Sequence, residues 1–593
     1  MSSASRLLSR VTVDRDHPRY KWVALSNTTL GVLMATINSS IVIISLPDIF
    51  RGIKLNPLQA GNVGYLLWML MGFLLVTAVF VVSFGRLGDM YGRVKIYNLG
   101  FAVFTVGSVA LVLDPLSQGG GALWLILWRV VQGVGAAMLF ANSTAILTDA
   151  FPADRRGLAL GINQVAAIGG SFIGLIVGGL LAPVDWHLVF FISVPFGVIG
   201  TVWSYHSLRE TSSRTAARID WWGNALFAIG LTAILAAITY GIQPYGGHDM
   251  GWTSPWVLTG LVGGVVVLVV FCAVEARIDD PMFDLSLFRI KAFSAGNLAG
   301  LLASVSRGGL QFMLIIWLQG IWLPLHGYSF SSTPLWAGIF LLPLTVAFLV
   351  AGPLSGYYSD RFGARTFATG GLVLVAVSFL GLMLLPTNFS YWAFAGLLVL
   401  NGIGSGLFSA PNTTAIMNSV PADRRGAAAG MRATFFNSGT SLSIGVFFTL
   451  MIIGLAQRLP AALTAGLQAH GVSPSVATEI GHQPPVGSLF AAFLGYNPIG
   501  TMLGAQPAAA IQGADVGALT GKQFFPQLIS SPFHYGLVIV FAVAIALSLV
   551  GAVASLFRGP RYIHAEPGSS DPATAGRRRA EAPTLVRRLG GAS

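Results

Sequence analysis

Charge is scarce in this chain: only 9% of its 593 residues are Asp, Glu, Lys or Arg. A water-soluble domain carries about 25%, so a soluble enzyme, a secreted module and a disordered scaffold are all excluded. There is one cysteine, Cys272, which rules out an internal disulfide framework, a cysteine-based zinc or iron–sulfur site and a CxxC redox pair. No G-x-x-x-x-G-K-[ST] phosphate loop occurs, so ATP is not a direct energy source. No metal or other cofactor is expected. Acids are the scarcer sign, 22 against 34 Lys+Arg for a net charge of +12. The sequence pI is near 10.0. Such a balance would suit a nucleic-acid partner if the cations formed a patch. They sit instead in short gaps between apolar runs, so the charge reads as membrane topology and no nucleic acid is expected. What the chain has in abundance is apolar residues, at 54%, and 72 glycines. With a mean hydropathy of +0.73 this is a membrane protein.

A helix needs about 20 apolar residues to cross a bilayer core of about 30 Å. Runs of that length predict fourteen spans, at 23–47, 62–83, 97–113, 122–146, 158–181, 186–207, 222–243, 255–276, 293–320, 334–356, 367–386, 390–417, 427–457 and 534–557. Alternate gaps hold the cations: Arg86, Arg93 and Lys95; Arg155 and Arg156; Arg209, Arg214 and Arg218; Arg277, Arg289 and Lys291; Arg361 and Arg365; Arg424 and Arg425. These gaps face the cytoplasm, and both termini lie on that side. The opposite gaps hold only Arg51, Lys54, Arg458 and Lys522. The first apolar run follows about twenty polar residues without a small-residue cleavage site, and reads as a retained span.

The chain repeats itself. Phe151-Pro-Ala-Asp-Arg-Arg-Gly157 returns as Val420-Pro-Ala-Asp-Arg-Arg-Gly426, and Gly85-x-x-x-Asp89-x-x-Gly92-Arg93 returns as Gly356-x-x-x-Asp360-Arg361-x-Gly363-x-Arg365. The offsets, 269 and 271, hold eight spans rather than six. Two helices are therefore inserted between two six-helix halves. The resulting division is a tail at 1–22, a first half at 23–207, an inserted pair at 222–276, a second half at 293–557 with an outer segment at 458–533, and a basic tail at 558–593. Parallel repeats of this kind build rocking-bundle transporters, whose substrate site lies at the midplane between the halves.

At these residues the sequence resembles the major facilitator superfamily, in its fourteen-span drug:proton antiporter branch, over roughly 22–557. Gly85–Arg93 is similar to that family's loop motif between spans 2 and 3, and Arg129-Val-Val-Gln132-Gly133-x-Gly135 to its span 4 motif. Gly170-x-x-x-Gly174-x-x-x-Gly178-Gly179 is similar to its span 5 motif, and Asn38-Ser-Ser-Ile-Val-Ile-Ile-Ser-Leu-Pro47 stands where the branch has its span 1 motif. The resemblance implies an all-α membrane protein of major facilitator fold, two pseudo-symmetric six-helix bundles plus two inserted helices. It also implies a conformational latch at Gly85, Asp89, Gly92 and Arg93, working against the start of span 13 near Ala427–Arg432. A mirrored latch at Gly356, Asp360, Arg361 and Arg365 would work against the start of span 5. The alternative for both loops is a short solvated turn that only orients the chain. Gly170, Gly174, Gly178 and Gly179 form a small-residue stripe for close helix packing. Leu175 stands where the branch usually has proline, so the stripe remains and the kink is lost.

No acid lies near a helix centre, and Asn38 replaces the usual span 1 aspartate. An amide cannot titrate, so a proton cannot be carried there. His187, His206, His326 and His534 fall at span ends. Arg129 and Arg307 are deep, and Arg307 is the pseudo-symmetric counterpart of Asn38. A guanidinium at that depth is costly unless it faces water or bonds to carbonyls and amides such as Gln132 or Gln311. Asn38, Arg129, Gln132, Arg307 and Gln311 are the expected substrate and coupling cavity. Against that, Arg129 has a structural alternative as a brace for span 1, and Arg307 a snorkelling one. Trp68, Trp128 and Trp317 either stack on an aromatic substrate or only pack. Apolar patches of the outer segment such as Leu489–Leu494 either lie on the membrane or cap the cavity. The basic tail, with Arg577-Arg-Arg579, reads as a disordered segment drawn to anionic lipid.

The functional expectation is an energy-coupled exporter of small amphipathic compounds in a bacterial plasma membrane, monomeric, with protons as coupling ions. Two rivals are an exporter of an endogenous acidic or lipid-like metabolite and a non-transporting receptor of the same fold. Topology is directly testable. Tags at Gly246 and Gln506 should be reachable from outside, and tags at Ser212 and Ala573 only from inside; one reversed tag would overturn the span count.

Overall fold

The computed structural model describes residues 19–56, 62–151, 156–210, 220–246, 250–278, 281, 283–421, 424–495, 497–504 and 515–558. Fourteen of its helices are long and apolar enough to cross a membrane. They run Tyr20–Gly52, Asn62–Tyr91, Arg93–Val112, Gln118–Ala150, Gly161–Leu181, Leu188–Ser207, Trp221–Gly241, Pro255–Glu275, Lys291–Leu325, Thr333–Ser359, Ala364–Leu384, Tyr391–Asn418, Ala427–Ala469 and Phe524–Leu556, hereafter spans 1 to 14. A backbone in hydrocarbon must bond to itself, which is why apolar runs of this length become helices.

The helices outrun the hydropathy signal at several ends. Span 13 continues to Ala469 and span 14 begins at Phe524, so the outer segment is 470–523 rather than 458–533. His534, expected at a helix end, lies ten residues inside span 14. These extensions are helical but less apolar, which is why hydropathy alone misses them. The basic tail from 559, and Arg155, Arg214 and Arg218, lie outside the described residues.

Span 9 contains a π-helical turn, Leu318–Trp322, just before Pro324. A proline has no amide hydrogen and its ring clashes with the carbonyl four residues back, here Gly320. A widened turn accommodates that clash.

Three glycines of span 5 bring it against span 1. A Cβ on Gly174 would stand 2.5 Å from the Ile37 carbonyl oxygen and 3.1 Å from Ile37 Cα; one on Gly178 would stand 2.5 Å from Ile44 Cγ2; one on Gly170 would collide with Thr36 Oγ1. Gly179 turns the other way: its Cβ would stand 2.5 Å from Leu335 Cα, on span 10 of the second half. Leu175 is fully buried, and its carbonyl lies 3.2 Å from where a Cβ on Gly338 of span 10 would be. The position without the proline kink is thus also a contact between halves.

Apolar packing differs between the two sides of the molecule. Toward the outside a single continuous core takes Ile41 to Ile53 of span 1, Leu67 and Leu70 of span 2, Leu175 of span 5, Leu310 to Leu323 of span 9, Phe447 to Leu467 of span 13 and Phe525 to Ala544 of span 14. Toward the cytoplasm it breaks into separate clusters. One belongs to spans 1 to 4, one to spans 9, 11, 12 and 14, and a small one to spans 1, 4 and 5. Only one cytoplasmic cluster of described residues takes side chains from both halves, among them Val81 and Val82 of span 2 with Phe293 and Met431 of spans 9 and 13. The inserted pair, spans 7 and 8, lies at this seam: Ile238 meets Gly445 of span 13, and Asn224 meets Ser83 of span 2. Span 8 is the most lipid-exposed, with 17% of its apolar window buried.

The span 5 packing makes a paired prediction. Gly174→Ala must push span 1 away, since backbone cannot yield as a flexible side chain can. It should lower the thermal unfolding midpoint of purified protein, in line with overpacking costs of about 1–3 kcal/mol. Gly169→Ala, one residue off the stripe with nothing within 4 Å of its Cβ, should leave the midpoint unchanged.

Candidate functional site

The floor of the outer core is polar. Asn38 lies one turn to the cytoplasmic side of Ile41, and Arg129 one turn beyond Leu125, where that core begins on spans 1 and 4. Span 4 starts at Gln118, so Arg129 is about 17 Å along it at 1.5 Å per residue. Arg129 is 1% exposed. Its Nη1 donates to Asn38 Oδ1 and to Gln132 Oε1 at 3.1 Å, and Nε donates to the Met69 carbonyl at 3.4 Å. The face of Phe73 lies 4.3 Å from its central carbon. Asn38 Nδ2 donates in turn to Ser193 Oγ at 3.1 Å, and Gln132 Nε2 to Ser108 Oγ at 2.8 Å. One cation thus joins spans 1, 2, 3, 4 and 6, all within the first half. Among the described residues no acid lies beside its positive charge; carbonyl and amide oxygens and an aromatic face offset the burial. The geometry is that of a brace, closed to a substrate in this conformation.

The second half answers differently. Arg307 is half-buried on span 9, one turn to the cytoplasmic side of Leu310. Phe348 of span 10 covers its guanidinium at 4.5 Å, and among the described residues no carbonyl, amide or acid bonds to it. Gln311, one helical turn on along the same face, has a buried Nε2 with no acceptor. Unspent donors therefore lie on span 9 near the level where Arg129 is held by Asn38, Gln132 and the Met69 carbonyl.

Above this floor the exit is shut. Gln319 Nε2, in the π turn of span 9, donates to the Ile44 carbonyl of span 1 at 3.3 Å. The outer segment contributes a helix, Pro485–Phe493, whose Leu489 and Phe490 are buried. Phe490 stacks on Phe448 at 5.0 Å, and Phe493 meets Phe312 edge-on at 6.2 Å. Of the two readings of this segment, the described helix follows the cap: it is packed among spans, not laid on a membrane. Trp317 is buried against Phe389 and Phe394 and packs rather than lines an opening.

The loop between spans 2 and 3, where a latch is expected, is bound within its own half. Arg93 Nε donates to Asp89 Oδ1 at 2.7 Å, and Nη1 to Asp149 at the end of span 4, also at 2.7 Å. Gly92 adopts φ +116°, a left-handed conformation that favours glycine. It frees the start of span 3, where the Arg93 and Val94 amides donate to Glu210 at 3.0 and 3.2 Å. An acid there also meets the positive helix end. Glu210 does not stand out in the sequence, because its partners lie on another span. Gly85 has open room, 3.8 Å from Ala141. The start of span 13 meets span 2 higher up: Gly430 faces Val82, and Thr434 Oγ1 donates to the Ala78 carbonyl at 3.2 Å. In the mirrored loop Gly363 adopts φ +89°, Gly356 faces Ala410, and Arg361 and Arg365 are exposed; the Asp360 side chain lies outside what is described.

Two helical halves closed together on one side and divided on the other define a multi-pass secondary transporter. The chain belongs to the Major Facilitator Superfamily, whose profile matches residues 28–444. It is 28% identical over 538 residues to the tetracenomycin C resistance and export protein of Streptomyces glaucescens, spanning 90% of this chain and 91% of that one. It is 30% identical over 443 residues to the multidrug resistance protein Stp of Mycobacterium tuberculosis (strain CDC 1551 / Oshkosh), 74% of this chain and 78% of that one. A riboflavin transporter of Clostridioides difficile (strain 630) is 28% identical over 434 residues, 72% of this chain and 88% of its own. A solved bacterial homologue of the human lysosomal transporter Spinster, inward-facing and occupied, superposes with a TM-score of 0.51 at 15% identity, covering 91% of this chain and 98% of that one, which shows the fold alone. Like its bacterial relatives, the protein is a multi-pass plasma-membrane transporter.

The contrast between the two arginines is testable by stability. Asn38→Leu strips a buried guanidinium of an acceptor and should destabilise the purified protein by about 1–3 kcal/mol, read as a lower unfolding midpoint. Arg307→Leu breaks no hydrogen bond and should leave the midpoint within error or raise it.

Proposed function

We propose that the protein exports small amphipathic compounds across the plasma membrane by alternating access driven by the proton gradient, and that Arg307 and Gln311 meet the polar end of the cargo. The observation that carries this reading is the change of packing at one level. The continuous outer core ends where Asn38, Arg129 and Arg307 lie, and the cytoplasmic side is divided below it. This is an arrangement closed to the outside, with its deepest unspent donors at the closed end. The relatives support cargo of this class: tetracenomycin C and multidrug resistance for two of them and riboflavin for another. The latch at Asp89 and Arg93 would hold one half rigid while the halves rock.

A cation beside an aromatic ring, with an amide donor one turn away, suits an aromatic compound bearing an anionic or strongly accepting group. Among the described residues no acid lies at this level to meet a cationic drug. This favours neutral or acidic cargo, an endogenous acidic metabolite included.

Uptake into inside-out vesicles with a matched neutral, anionic and dicationic series tests the reading. The neutral and anionic members should be carried and should stop when the proton gradient is collapsed. Arg307→Ala should slow the anionic member about tenfold, a hydrogen bond to a charged group contributing roughly 1.5–3 kcal/mol. If the dication is carried best and Arg307→Ala leaves the order unchanged, the assignment of Arg307 is wrong.

A further inference from the structure

On the cytoplasmic side, where the inserted pair meets span 2, two carboxyl groups are buried together. Asp220, 6% exposed, caps the start of span 7, its Oδ1 accepting from the Gly223 amide at 2.7 Å. Glu275, 2% exposed, ends span 8, and its Oε2 accepts from the Phe283 amide at 2.9 Å. Gly223 stands between them: a Cβ there would collide with both Asp220 Oδ2 and Glu275 Oε1. Those two oxygens therefore share one small space, within hydrogen-bonding reach of each other. Glu275 Oε1 is shielded from solvent, and among the described residues no N–H or O–H donates to it.

Helix capping accounts for Asp220 alone. It gives no reason for an acid on another helix to be buried with an unpartnered oxygen turned toward it. Two carboxylates facing each other away from water cannot both ionise cheaply, whereas one proton between them turns repulsion into a strong O–H···O hydrogen bond. Among the described residues, the charged and titratable groups around the pair are few. Arg86 of span 2 donates to the Pro281 carbonyl and acts on Glu275 through its charge. The Cys272 thiol lies one turn back on span 8. Farther out, Arg424 and Asp284 pair with each other at 3.0 Å. The remaining neighbours on span 2 and span 7, Ser83 and Asn224, are neutral and bonded to each other.

The pair also holds a strategic segment. Phe283, whose amide Glu275 binds, packs against Phe227 of span 7, Phe271 of span 8 and Phe435 of span 13. It belongs to the cytoplasmic cluster that takes residues from both halves.

We propose that Asp220 and Glu275 form a proton-binding site in equilibrium with the cytoplasm. One shared proton keeps the Phe283 segment docked at the seam between the halves. Losing that proton to cytoplasmic water takes the pair from one negative charge to two, with Arg86 as a compensating cation among the described residues, and frees the segment. The consequence for transport rests on the exporter reading above; the proton site does not.

The test uses the full chain in lipid nanodiscs. Infrared difference spectra across a pH titration should contain a protonated-carboxyl C=O band that is lost as pH rises. The band should be absent in Glu275→Gln and moved to a different pH in Asp220→Asn, which keeps the helix cap. Hydrogen exchange of 283–290, corrected for intrinsic pH dependence, should lose protection in step with the band. In Glu275→Gln the segment should stay protected at every pH, because the amide oxygen still accepts from Phe283 and the amide nitrogen donates to Asp220. A band that titrates unchanged in both variants would overturn the proposal, as would both carboxylates ionised throughout or exchange in Glu275→Gln that follows the native curve. Should Glu275→Gln fail to fold, Asp220→Asn decides alone: a shifted band supports the shared proton and an unshifted one refutes it. Should vesicles carry no substrate while band and exchange behave as described, the proton site stands and the exporter reading falls.

Discussion

Span 5 lies with bare backbone against both halves of this protein, and the rest of the arrangement depends on it. Gly170, Gly174 and Gly178 let it rest on span 1, and Gly179 lets it rest on span 10. In hydrocarbon there is no hydrophobic force to drive helices together, so association must come from close packing and from polar contacts. A helix bare on two adjacent faces can serve both the inside of one half and the joint with the other. The outer core, the Gln319 contact with span 1 and the capped exit all lie at the end where this double contact occurs.

Charge in the interior is distributed unequally between the halves. Arg129 donates to Asn38, Gln132 and the Met69 carbonyl, and through them the network links five helices of the first half. Arg307, the pseudo-symmetric counterpart of Asn38 rather than of Arg129, has an aromatic ring and, among the described residues, no hydrogen-bond partner. Sequence symmetry of the two halves therefore does not carry over to electrostatics. Replacement of the span 1 aspartate by Asn38 accords with this: an amide oxygen can accept from the arginine without titrating, which fixes the brace at any pH. The inserted helices hold a pair of buried acids, Asp220 and Glu275.

Much of this was legible in the sequence because it is periodic or local. Hydropathy found all fourteen spans, the recurrence of Phe151–Gly157 as Val420–Gly426 found the two halves, and the spacing of Gly170 to Gly179 found a packing face. Tertiary partners escaped. Glu210 is ordinary in sequence, yet it caps a helix 117 residues away. Glu275 ends an apolar run and Asp220 stands beside a cytoplasmic gap, exposed to water on sequence grounds; only the fold puts the two in one space and shields them from water. The helical extensions of spans 13 and 14 escaped for another reason: they are stabilised by packing on the outer segment rather than by lipid, so hydropathy has no hold on them.

The buried cap bears on how transport responds to temperature. Opening the outer side requires Leu489, Phe490 and Phe493 to part from Phe448 and Phe312, exposing apolar surface to water or to the cargo. Exposure of apolar surface carries a positive heat-capacity change. The balance between outward-open and outward-closed forms is then curved in temperature, with a cargo-filled exit less curved than an empty one because an apolar guest covers the same surface. The cap thus links the rate of an empty return to the thermodynamics of wetting, apart from any chemistry at the site below it.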